Sequence, residues 1–310
     1  MAVYEHSYRQ YAGRLTPDWS RFLVIPRYAY QQVFRSKLFV AFFAACFIYP
    51  LVAACIIYLH HNVNALALLK IGDVRELVPI NASFFHFFVS FQCGLAFFLN
   101  ILIGPPLISR DLSNNALPLY LCRPFSRAEY VLGKMSVVVI LLSLVTWVPG
   151  LLLFFFQVSL EGVGWLWSNL WIAGSIFVGS MVWIVLLALV ALAVSAWVKW
   201  RVVASGALLG FFFIPSAFGE IVNNLFLTRV GHLVSLGALM NNIWLGLFGM
   251  FVRETGHVRG TRTDVLRDHE FIDVVLREPP LWASWTVLAL ACAFFLWLLM
   301  RKVRAYEVVK

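Results

Sequence analysis

The chain has 310 residues, of which 62% are apolar and 13% charged, about half the charged share of a soluble domain. That much apolar surface cannot be hidden in a water-soluble fold, so the composition describes an integral membrane protein with one compact bundle of spans. The net charge of +9 does not mean nucleic acid as a partner, because the basic residues flank apolar runs and do not gather along one groove or arm.

Residues 1–37 are polar, aromatic and basic, too long and too charged for the front of a cleavable signal peptide. From Ser20 to Lys37, Phe22, Tyr28, Tyr30 and Phe34 alternate with basic residues. This suits either an amphipathic N-terminal helix in the headgroup region, limited by Pro26, or a plain basic anchor. Residues 38–310 form a single transmembrane domain. Its first span is Leu38–Leu59, followed by a mixed loop to Pro79.

The second span, Ile80–Ile103, is the most polar. Ser83, His86 and Ser90 fall near one helical face. Polar groups in lipid are costly unless they face other helices or water. These three either wall a substrate path or hydrogen-bond between helices, and the sequence leaves both open.

Gly104–Lys134 is the long polar interruption in the first half of the chain. It carries Arg110, Arg123, Arg127 and Lys134 against Asp111 and Glu129, and so is expected to face the cytoplasm. Leu107 to Leu117 reads as a short helix, with Leu107, Ile108, Leu112 and Ala116 near one face, and Pro118 ends it. A helix lying across the mouth of two spans suits docking better than catalysis.

The third span is Met135–Phe156, with a kink expected at Pro149-Gly150. A loop, Gln157–Asn169, with Trp165 and Trp167 at the interface, leads to the fourth span, Leu170–Val198. Lys199-Trp200-Arg201 makes a basic turn before the fifth span, Val202–Phe218. Residues 219–280 form the longest non-spanning region. Within it Val230–Met250 is apolar, but a full crossing there would put the basic C-terminus outside. It reads as an external re-entrant or helical segment. The last span is Leu281–Met300. Most of the 24 Lys and Arg residues then lie inside, and both termini are expected in the cytoplasm.

In Gly104–Lys134 the chain presents Asp111, a Leu-rich run at Leu117–Leu121, Pro124-Phe125-Ser126-Arg127 and Gly133-Lys134. This series resembles the first cytoplasmic loop of ABC-2 type transporter permeases, and the number and order of spans extend the resemblance over nearly the whole chain. It departs at Asn115-Ala116, where the family tends to carry Gly-Thr, and at Pro118. The resemblance implies a multi-pass permease of the cell membrane, with six spans and a cytoplasmic coupling helix. It implies a dimer with a second permease subunit and two copies of an ABC ATPase. ATP and Mg would be bound by that ATPase, with no cofactor in this chain, and export is the implied direction. Candidate contacts to the ATPase are Arg110, Asp111, Leu112, Asn114, Asn115, Arg123 and Arg127. Asp111 is expected to pair with a basic group of the partner, or with Arg123 or Arg127.

The chain has no Walker A loop: Gly133-Lys134 is followed by Met135, and the earlier glycine position is Ala128. His269-Glu270-Phe271-Ile272-Asp273 is one residue from the zinc-protease pattern, so a membrane-embedded hydrolase stays a second reading, against charged helices on a solvated surface. A secondary transporter is a third, weakened because the spans hold essentially only His86 as an ionisable group. The five cysteines show neither a disulfide framework nor metal-ligand spacing.

Overall fold

The computed structural model describes residues 24–62, 79–114, 127–262 and 270–302. Six segments are long and apolar enough to cross a membrane: Lys37–His61, Ala82–Asp111, Ala128–Glu161, Val163–Trp197, Arg201–Phe226 and Leu281–Lys302. Leu51, Phe87, Leu152, Ile214 and Leu290 stand exposed on the bundle's outer surface. An apolar exterior of that extent needs lipid around it, and the chain is a multi-pass membrane protein.

An N-terminal helix α1 (Val24–Phe34) precedes the first span. Pro26 sits in its first turn, where the missing N–H costs nothing. The first span is two helices, α2 (Lys37–Ala45) and α3 (Ile48–His61), broken at Cys46-Phe47. Gln92 Nε2 donates to the Cys46 carbonyl at 2.8 Å, giving the break a buried partner. The second span, α4, runs unbroken from Ala82 to Ser113.

The third span is α5 (Arg127–Val145) and α6 (Trp147–Glu161), parting at Thr146 just ahead of Pro149. The kink therefore lies where the proline required it. The expected loop Gln157–Asn169 is not a loop. Helix α6 continues to Glu161 and the fourth span α7 starts at Val163, so Trp165 and Trp167 are helical. One residue, Gly162, makes the turn at φ 95°, a left-handed value that a side chain would oppose.

Helix α7 (Val163–Trp197) is apolar all round, and its second half is buried on every side, as a central helix must be. It packs on α4, α5, α6 and the last span. The fifth span, α8, covers Arg201–Phe226, so residues 219–226 belong to it and not to an external segment. A 3-10 turn (Val230–Leu233) and helix α9 (Leu236–Leu247) follow. At 12 residues, α9 is about 18 Å long and too short to cross a hydrocarbon core of about 30 Å. It is anchored by Trp244, whose Nε1 donates to the Gly179 carbonyl at 3.2 Å, and by Ser175 Oγ, which donates to the Leu247 carbonyl at 2.6 Å.

Two antiparallel strands, β1 (Glu254–Arg262) and β2 (Glu270–Arg277), pair from Glu254 opposite Arg277 to Arg262 opposite Glu270. The charged helices expected here are replaced by this hairpin. The last span, α10 (Leu281–Lys302), packs on α7 and α9.

The helix directions give the bundle two distinct ends. Lys37, Ser113, Arg127, Trp197, Arg201 and Lys302 mark one end. His61, Ala82, Glu161, Phe226, α9 and Leu281 mark the other. His61 Nε2 and Glu161 Oε1, 3.0 Å apart, tie α3 to α6 at the second end. At the first end, Lys302 lies 5.1 Å from the Trp197 ring and Trp197 Nε1 donates to the Leu298 carbonyl.

Candidate functional site

At the first end, α4 and α5 form the two feet of the polar loop. Asp111 on α4 receives the Lys134 ammonium at 2.8 Å and the Tyr130 hydroxyl at 2.7 Å, both from α5. Tyr130 is fully buried and the Lys134 side chain is 7% exposed, so the Asp111 carboxylate is the charge that makes Lys134 tolerable there. Lys134 Nζ also lies 5.7 Å from the Tyr130 ring centroid. Arg123 and the Arg127 side chain, the basic groups of this loop expected beside Asp111, lie outside what the structure describes. Lys134 and Tyr130 are four residues apart on α5, which puts them on one helical face.

A second joint lies one to two turns back along α4. Pro105 and Pro106 have no N–H, so the carbonyls of Ile101 and Leu102 lose their ladder bonds. Ser205 Oγ on α8 donates to the Ile101 carbonyl at 3.3 Å. Ser195 Oγ on α7 donates to the Pro105 carbonyl at 2.5 Å and accepts from the N–H groups of Ile108 (3.2 Å) and Ser109 (2.9 Å). A side chain of the central helix is thus inserted into the hydrogen-bond ladder of its neighbour, where such insertions bend helices. Gly104 allows the approach, since a Cβ there would lie 2.5 Å from Ala191 Cβ. Asn100 Nδ2 donates to the Leu187 carbonyl at 3.1 Å one turn further in.

The expected short helix across the mouth is, as far as Ser113, an unbroken continuation of the span. Ser205 satisfies the Ile101 carbonyl that Pro105 frees, and Ser195 bridges the turn that follows the proline pair. Arg110 and Asp111 lie on this extension, Ser113 and Asn114 are exposed at its tip, and Leu112 is in its last turn. Arg127 opens α5. Asn115 and Arg123 lie outside the described residues.

No family model matches the chain, and no curated protein matches it. What its sites can do has to be read from their own chemistry.

The path candidates on α4 face the segment between the last two spans. Ser83 Oγ lies 3.0 Å from Met250 Sδ, and the His86 ring meets Phe248 edge to face at 5.6 Å. His86 Nε2 and Ser90 Oγ are buried without a hydrogen-bond partner.

The second end carries a cavity of about 330 Å³ whose lining includes Glu220, His232, Asn242 and Glu278. His232 Nδ1 lies 2.8 Å from Glu278 and its Nε2 3.5 Å from Glu220, and Arg229 approaches Glu278 at 3.9 Å. These residues come from α8, the 3-10 turn and the strand-to-span connection, so they clamp the short outer elements to the fifth span. His269 lies outside the described residues, and Glu270 and Asp273 stand in β2.

Proposed function

We propose that this chain is the membrane-spanning subunit of an ATP-binding cassette exporter of the ABC-2 permease type. It pairs with a second permease subunit and is driven by two copies of a separate ATPase. The end bearing Arg110, Lys134, Arg201 and Lys302 faces the cytoplasm together with both termini, in accord with the excess of basic residues there. The observation that carries the reading is the extension of α4. At 32 residues the helix is about 48 Å long, well beyond the hydrocarbon thickness, so its last turns stand clear of the bilayer.

That extension is a lever. It is held at its foot by Asp111–Lys134–Tyr130 and joined to the central helix through Ser195. A push on residues 110–114 is transmitted to α7, which contacts most of the bundle. The chain has no phosphate-cradling loop, so ATP is bound and hydrolysed by the partner.

The test is to purify the chain from membranes in mild detergent with its co-assembled subunits. A Walker A ATPase should co-purify, and the complex in lipid should hydrolyse ATP. The isolated chain should not. Asp111→Ala or Leu112→Glu should lower the ATPase rate of the complex while the chain still inserts. An ATPase-free preparation, or hydrolysis by the isolated chain, overturns the reading.

A further inference from the structure

A small cleft of about 80 Å³ opens at the basic end of the bundle, where α1, α2, α4 and α8 meet. Its polar lining is Arg110, Arg201, Gln32 and Ser36, and its apolar lining includes Phe39 and Leu107. Among the described residues, neither guanidinium has an ion-pair partner. The neighbouring carboxylate, Asp111, is already held by Lys134 and Tyr130, and adjacent positions on a helix point to different sides.

Two helix N-termini add to the positive field. Ser36 caps α2, its Oγ accepting from the Phe39 N–H, and Arg201 is the first residue of α8. Neither helix has an acidic residue in its first turn, the place where one would offset the macrodipole. Both helices instead begin with a basic residue. Positive charge therefore converges here from two arginines and two helix starts, with no anion supplied by the described residues.

We infer that this cleft holds the phosphate of an anionic membrane phospholipid. The cleft lies beside the ends of the first, second and fifth spans, and Leu102, 37% exposed, and buried Phe39 continue its wall along their apolar residues. A free anion would use the arginines alone, whereas a phospholipid uses the charged rim and the apolar wall together. Basic pockets between spans are a general solution for negatively charged headgroups. The lipid fastens α1 to α4 and α8, an attachment independent of the transport reading.

The experiment titrates the delipidated, detergent-purified chain with phosphatidylglycerol, phosphatidylcholine or inorganic phosphate. Native mass spectrometry reads stoichiometry and thermal denaturation reads stabilisation. One tightly held phosphatidylglycerol is expected, half-saturating at a concentration at least ~10-fold below phosphatidylcholine, with no stabilisation by inorganic phosphate. R110Q/R201Q should abolish that preference, whereas R253Q at the other end should keep it. R201Q alone changes only an exposed helix start and should weaken binding about threefold, so the test survives misfolding of the double variant. Equal binding of the two lipids, or wild-type preference in R201Q, overturns the proposal. Stabilisation by inorganic phosphate matching that by phosphatidylglycerol assigns the cleft to a bare anion and overturns the lipid.

Discussion

Asp111 and Lys134 stand on the last turn of one span and the first turns of the next, with 2.8 Å between carboxylate and ammonium. The loop between them is thereby closed at its base by a charge pair with little access to water. Removing one member of such a pair strands the other. Lys134→Met should destabilise the chain by about 3 kcal/mol, near the low end for buried pairs because Asp111 is 16% exposed. Asp111→Asn combined with Lys134→Met should cost less than the two single changes added together. Thermal denaturation of the four proteins in one detergent checks this, and strict additivity would refute the coupling.

Ser195 should matter more than its size suggests. Ser195→Ala leaves the Pro105 carbonyl and the Ile108 and Ser109 N–H groups without the oxygen that bridges them. A loss of about 1–3 kcal/mol is expected for buried groups left short of partners. Pro105→Ala returns an N–H to the Ile101 carbonyl and not to the groups that Ser195 bridges, so adding it to Ser195→Ala should not recover that loss. Melting temperatures of the three variants measure it.

Trp244 holds the short outer helix onto α7 through its indole N–H and the bare backbone of Gly179, where a Cβ would come within 2.9 Å of the ring. Trp244→Ala should cost about 3–5 kcal/mol, as for large buried aromatics. Proteolysis near residues 248–252 should rise with it. Unchanged protection would mean that α9 is held by other contacts.

The two ends of the bundle should label from opposite sides. In a cysteine-free background, Lys199→Cys and Val252→Cys should react with a membrane-impermeant maleimide from opposite faces, with Lys199→Cys cytoplasmic. Val252 is 61% exposed, so access is not limiting. Labelling of both from one side would contradict the six-span arrangement.

The sequence by itself determined the number of spans and their order. Each is an apolar run of bilayer length, and that signal is local and cumulative. It also located the kink near Pro149, since a proline ring acts without any partner, and the failure of Val230–Met250 to cross, since a crossing would put the basic C-terminus on the wrong side. The turn at Gly162 was hidden because the aromatic, polar stretch around it looks like a loop until glycine's left-handed backbone is seen to need one residue alone. The β-hairpin was hidden for a different reason. Strand pairing is decided by a distant partner, and EFIDVVLR carries no strict alternation to announce it. Tertiary structure alone decided that Asp111 turns to Lys134 and Tyr130, that Ser195 enters the ladder of α4, and that Arg110 and Arg201 share a cleft. Each of these joins residues from different helices. Their energies come from geometry across a packed interface, where a few ångströms separate a satisfied buried charge or carbonyl from a costly one.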